Sequence, residues 1–174
     1  ENLTIDLIYG TPTTSHEIWQ KNLAIVFDLA IPHLSCYALT VEPQTALENH
    51  IRKGKKPALD DNHTAQQFEF LLTAIANNGY EQYEISNFCR PPHYAKHNSN
   101  YWKGVHYLGV GPAAHSFNGH SRQWNIAHNP KYIKAINEQQ SYWEIEELSI
   151  ENQHNEYVMT SLRTKWGVQT KQLH

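Results

Sequence analysis

The strongest constraint on the fold is an apolar strand, a helix and a second apolar strand in quick succession between residues 3 and 40. Leu3-Thr-Ile-Asp-Leu-Ile-Tyr9 is a near-continuous apolar run. Runs of this kind form strands covered on both faces of a parallel sheet. Gly10-Thr-Pro12 ends it. From His16 to Leu29, Ile18, Trp19, Leu23, Ile25, Val26 and Leu29 recur at helical spacing, with Ser15 or Thr14 placed to cap the N-terminus. Pro32 stops that helix, and Leu34-Ser-Cys-Tyr-Ala-Leu-Thr40 is the second strand. Parallel strands need a crossover, and the intervening helix supplies one, so the expected class is α/β with a βαβ unit at its start.

The rest of the chain divides into shorter elements. Residues 42–60 form a polar stretch with a Lys/Gly/Pro centre, read as a connection. A helix is predicted from Asn62 to Asn78, capped by Asp60 or Asp61. Ala65, Phe68, Leu72, Ile75 and Ala76 would line its buried face, and Gly79 would follow its last turn. Glu81 to Ile85 alternates like a strand. A proline-rich turn at Arg90–His93 and one or two helical turns at Lys96–Lys103 follow. Tyr107–Gly111 and Ala114–Phe117 read as short strands, and Ser116–Asn125 as a hairpin turning at Asn118-Gly119. Helices are predicted at Pro130–Gln139 and Ile150–Lys165. There is no internal repeat and no low-complexity segment.

Composition excludes several functions. The net charge is -3, and the lone basic run, Arg52 to Lys56, contains glycine. Neither offers the electrostatic footprint of a nucleic-acid partner. No apolar run approaches the roughly 18–20 residues that span a bilayer, and no signal peptide opens the chain. Cys36 and Cys89, the two cysteines, make no disulfide framework and no CxxC pair, which fits a cytoplasmic protein. Twelve His, ten Tyr and five Trp suit a flat ligand or a metal. The chain starts without methionine, and Gly167–His174 reads as the opening of another element. We expect a piece of a longer protein.

Several residues are candidates for chemistry. Asp6 interrupts an apolar strand, and a buried carboxylate needs a partner. At the carboxyl end of a barrel strand that partner is often a ligand; the plainer reading is an aspartate holding a turn or an arginine. In His97-Asn-Ser-Asn-Tyr-Trp102, His97 and Tyr101 share a helical face. Imidazole, and also Tyr, can ligate heme iron, and Trp102 could stack on a porphyrin. The plainer reading is a surface histidine capping a short helix beside core aromatics. Gly109-Val-Gly-Pro-Ala-Ala114 fits a dinucleotide pattern only formally: Pro112 is a poor fit, a strand follows, and no acidic residue lies at the required distance. A tight loop approaching another strand or a ligand suits it better. His115 and Ser116 lack a nucleophile elbow and an orienting acid. His106, His115 and His120 match no zinc signature. Cys36 and Cys89 read as buried thiols, and Arg163 as a partner for a carboxylate or a solvent-facing residue.

Together the motifs are more specific than any one of them. Ile5-Asp-Leu-Ile-Tyr-Gly-Thr-Pro12, Leu39-Thr-Val-Glu-Pro43, Tyr80-Glu-Gln-Tyr-Glu-Ile-Ser-Asn-Phe88, Arg90-Pro91, His97-Asn-Ser-Asn-Tyr-Trp102, Tyr107-Leu-Gly-Val-Gly-Pro112 and Ala114-His-Ser116 follow one another in one order. That order resembles the radical S-adenosylmethionine family around oxygen-independent coproporphyrinogen III oxidase, and above all its heme-chaperone branch, over essentially the whole chain. The resemblance implies a partial (β/α)6 barrel. Residues 1–45 would be its last two strands and the helix between them, residues 46–147 an α+β extension, and residues 148–174 the start of a C-terminal helical domain.

The same resemblance implies functional roles. Asp6 would contact S-adenosylmethionine, Thr40 would reach it from the next strand, and His115 would lie where the oxidase branch approaches a second molecule of that cofactor. His97, Asn98, Tyr101 and Trp102 match the HNxxYW heme motif, with His97 as the candidate iron ligand. The parent would bind and pass on heme. The alternatives are oxidative decarboxylation of coproporphyrinogen III and a non-catalytic ligand-binding module. The chain departs from the pattern in lacking the Cys-x-x-x-Cys-x-x-Cys motif that holds a four-iron four-sulfur cluster. Alone it would bind no cluster, carry no catalytic residue and be inactive. Thr11, Cys89 and Pro92 are smaller departures from the family's usual Leu, Ala and Gly. The expected partners are heme or a porphyrin, together with further copies of this chain recruited by the strand edge that a cut barrel exposes.

Overall fold

The computed structural model describes residues 2–172. The chain forms two compact units, Glu1–Ala95 and Lys96–His174. The first holds a sheet of β1 (Thr4–Tyr9), β2 (His33–Ala38), β3 (Glu81–Gln82) and β4 (Asn87–Cys89), in the order β1-β2-β4-β3. Its helices are α1 (His16–Asp28), α2 (Ala46–Arg52) and α3 (Asp61–Asn77). β1 and β2 run parallel, with Asp6 opposite Ser35, and α1 is the crossover between them. β4 runs antiparallel to β2 and to β3, so the sheet is mixed.

The helix boundaries follow from their caps. The Ser15 side chain accepts the Ile18 N–H at the start of α1. Asp60 accepts from Asn62 and His63 at the start of α3, and Gly79, at a φ of 74°, follows that helix. Trp19, Leu23 and Val26 of α1 pack with Leu71 and Ile75 of α3 against Tyr9, Leu34, Cys36 and Phe88 of the sheet. The polar connection contains a helix the sequence did not announce. α2 is capped by Thr45, and its Arg52 Nε lies 3.1 Å from Glu48 Oε1.

Three expectations are corrected here. β1 is not covered on both faces: it is the sheet's edge, and Thr4, Asp6 and Ile8 are exposed while Ile5, Leu7 and Tyr9 face the helices. Asp6 is therefore not a buried carboxylate. The buried stripe of α3 is Gln67, Leu71 and Ile75, with Ala65, Leu72 and Ala76 exposed and Phe68 half-buried. A glutamine replaces an apolar side chain in this stripe because its amide spans two chain segments. Gln67 Oε1 accepts the Gly10 N–H at 2.7 Å, and Nε2 donates to the Thr14 carbonyl at 2.9 Å. Finally, Glu81–Ile85 is not one strand. The chain turns after Gln82, with the Tyr83 N–H on the Asn87 carbonyl, and returns as β4.

The second unit comprises α4 (Lys96–Trp102), β5 (His115–Phe117), β6 (Ser121–Asn125), α5 (Asn129–Asn137), β7 (Trp143–Glu147) and α6 (Ile150–Ser161). β5, β6 and β7 form an antiparallel sheet in that order. The β5–β6 hairpin closes on Asn118, whose Oδ1 accepts the N–H groups of His120 and Ser121. α6 is shorter than expected and ends at Ser161; β7 had no counterpart among the predicted elements. No helix among the described residues is long and apolar enough to cross a membrane.

Candidate functional site

α4 carries the most suggestive motif of the sequence, and its geometry follows from helical spacing. Four residues apart, His97 and Tyr101 stand on one face, their rings edge-on at a centroid separation of 5.0 Å. Tyr101 meets Tyr107 at 4.8 Å, and Tyr107 meets Phe117 of β5 at 6.1 Å. A ladder of rings thus runs from the exposed imidazole of His97 to the small sheet. Burial pushes the Tyr107 phenol above its ordinary pKa, with Arg122 partly opposing. Asn98 and Trp102 are half-buried, and the Arg163 guanidinium lies 5.1 Å above the Trp102 ring.

Tyr101 and Trp102 open onto a cleft of about 600 Å³ within this unit. That volume suits a ligand of drug or cofactor size. Tyr107, Phe117, Tyr157 and Trp166 add four more aromatic rings to its wall. Arg122 Nη2 lies 2.6 Å from Glu156 Oε2 in the same wall, and Lys103 Nζ sits 4.4 Å above the Trp166 ring. His97 stands outside the wall, one ring away from it. Sequence reasoning reached Tyr101 and Trp102 through their motif. It missed Arg122, Glu156, Tyr157 and Trp166, which come from separate segments; the abundance of Trp and Tyr was the one available hint.

His115 is exposed on β5, opposite Trp124, with ring centroids 6.4 Å apart. The glycine loop before it backs directly onto its main chain. A Cβ on Gly109 would stand 2.1 Å from the His115 carbonyl oxygen, so only glycine fits. The Gly109 N–H donates to Ser116 Oγ at 2.9 Å, which gives that hydroxyl a structural partner. Among the described residues no three of His, Cys, Asp and Glu gather as metal ligands, and this includes His106, His115 and His120.

In the first unit Asp6 is exposed on the open face of the sheet, and its carboxylate makes no hydrogen bond or ion pair among the described residues. Its carboxylate is free to accept bonds from the hydroxyls or amine of a ligand. Thr40 is exposed just past β2, next to Leu39, whose N–H donates to the Tyr9 carbonyl. The same sheet carries a histidine that the sequence did not single out. His33 is buried, with Nδ1 2.7 Å from Thr4 Oγ1 and Nε2 2.7 Å from the Tyr83 hydroxyl. Burial lowers its pKa, and Asp6 partly counters this. Cys36 and Cys89 are buried, and burial with the nearby Asp6 pushes the Cys36 thiol up to about 12. Two cysteines, one of them held this firmly as a thiol, do not fit the three thiolates of a four-iron cluster.

No family model matches the chain. It is 33% identical over 168 residues to the heme chaperone HemW of Mycobacterium tuberculosis (strain ATCC 25618 / H37Rv), covering 96% of this chain and 43% of that protein. It is 32% identical over 172 residues to HemW of Bacillus subtilis (strain 168), covering 98% and 45%. It is 35% identical over 130 residues to the mitochondrial radical S-adenosyl methionine domain-containing protein 1 of Mus musculus, covering 71% and 29%. Its fold matches coproporphyrinogen III oxidase (HemN) from Escherichia coli, described as a radical SAM enzyme. The TM-score is 0.79 at 21% identity, over 99% of this chain and 42% of that one. The chain spans less than half the length of these relatives. Over nearly its whole length it is a homologue of the HemW heme chaperones, and over most of it of the radical S-adenosyl methionine domain-containing proteins, and it belongs to that family.

Proposed function

We propose that this chain binds heme and passes it on, as part of a radical S-adenosylmethionine protein. The observation that carries the reading is the face of α4, where an exposed imidazole stands edge-on to Tyr101 beside a cleft walled by aromatic rings. A neutral imidazole can ligate iron, and the rings give a planar macrocycle an apolar seat. His97 is the iron ligand of this reading. Tyr101 orients it, Trp102 offers a flat wall, and Asn98 on the same short helix completes the motif. An exposed ligand on a short helix suits a protein that must release its cargo. A porphyrinogen has no iron to engage His97, so the motif favours heme.

The remaining assignments belong to the same proposal. β1, α1 and β2 are the end of a partial (β/α)6 barrel, in the layout of residues 1–45, 46–147 and 148–174. Asp6 and, from beyond the end of β2, Thr40 face S-adenosylmethionine, and His115 approaches a second molecule of it. That cofactor supplies radical chemistry only with a cluster whose cysteines this chain does not contain, so reductive cleavage is not expected of this chain alone. Asp6→Ala should weaken binding of S-adenosylmethionine in a protein that holds the cluster.

Titration of the chain with heme tests the reading. We expect saturation at one heme per chain. Absorbance that rises without saturating, as with heme adhering to surfaces, would overturn it.

A further inference from the structure

Two cations at the cleft beside α4 have no carboxylate partner among the described residues. Lys103, in the wall, lies over Trp166, and Arg163, outside the wall, lies over the ring of the wall residue Trp102. A third cation, Arg122, is already matched by Glu156 at 2.6 Å. Each cation rests on the face of a half-buried indole and not on an opposite charge. A carboxylate is a stronger partner for either. The ligand these groups suit is flat, apolar in its body and acidic at its margin.

We propose that Lys103 and Arg163 receive the carboxylate arms of a porphyrin seated in this cleft, so that the site selects porphyrins with free acids. This rests on the heme reading above and adds the groups that decide which tetrapyrrole is accepted. Lys103 would take one arm from within the wall, and Arg163 the other from just outside it, beside Trp102. Iron plays no part in this selection, because the acids stand at the margin of the macrocycle and the metal at its centre.

Metal-free protoporphyrin IX is the direct probe, since it has two acidic arms and nothing for His97 to ligate. Tryptophan fluorescence reports its binding to the intact chain. We expect it to bind at least about tenfold more tightly than its dimethyl ester. The Lys103→Gln/Arg163→Gln double variant alters two exposed side chains and should lose that preference. Equal affinity of the wild type for acid and ester overturns the proposal, as does a preference that survives in the variant. If heme binds but protoporphyrin IX does not, the heme reading stands and this one falls. If neither binds, both fall.

Discussion

Gln67 Oε1 accepts the backbone N–H of Gly10 at 2.7 Å, which ties the centre of α3 to the end of β1. The contact is buried, and it holds Gly10 at a φ of 72°, where a Cβ would strike Thr64 Oγ1 at 2.5 Å. The turn from strand to helix thus needs a glycine here, and the glutamine ties it to α3. Gln67→Leu would keep the volume and orphan the Gly10 N–H, whereas the Thr14 carbonyl keeps His63 Nε2 as a donor at 3.0 Å. Leaving one buried donor unsatisfied costs about 1–3 kcal/mol. We expect urea denaturation to show a loss of that size; an unchanged midpoint would contradict this account of the turn.

His33 makes stability depend on pH in a defined direction. Both its ring nitrogens are held by hydroxyls, and burial lowers its pKa from the ordinary 6.5. Protonation is thus easier in the unfolded chain. The contribution of His33 is complete above the unfolded value of about 6.5 and is lost as pH falls through the lower folded value. The wild type should lose stability on acidification below neutrality. His33→Asn, less stable at pH 7, should lose less over the same range. Equal slopes for the two would assign the acid sensitivity to other histidines.

How much of this was legible depends on where each element draws its stability. α1 and α3 could be read because their caps, Ser15 and Asp60, and the following Gly79 are local signals. β7 could not, because every residue of Trp143–Glu147 is exposed and its place depends on pairing with β6. The Tyr83–Asn87 turn uses Glu84, whose carboxylate accepts from Asn87 and Ser86, so it lacks the Gly or Pro that marks most turns. Gln67 looked solvent-facing because its partners lie more than fifty positions away. In the candidate site, the four-residue offset of His97 and Tyr101 was visible at once. Arg122, Tyr157 and Trp166 join them only through the tertiary fold.

The edge position of β1 leads to a prediction about assembly. Among the described residues it pairs with β2 alone, and Leu3 and Ile8 are about half exposed, at 49% and 55%. Such edges recruit other strands. Sedimentation of the chain at micromolar concentration should give a dimer or larger species, and Ile8→Lys should shift it toward monomer. A monodisperse wild-type monomer would contradict this.

The central claim is that His97 holds the iron of a bound heme. Much of the affinity should come from burying the macrocycle against Tyr101 and Trp102, so His97→Ala should weaken binding without abolishing it. Trp102→Ala should weaken binding with little change in ligation. The most direct test is the absorption spectrum of the heme-loaded chain beside that of heme-loaded His97→Ala. The account predicts a shifted Soret band and lower affinity in the variant. Superimposable spectra and equal affinities would place the ligand on another of the twelve histidines.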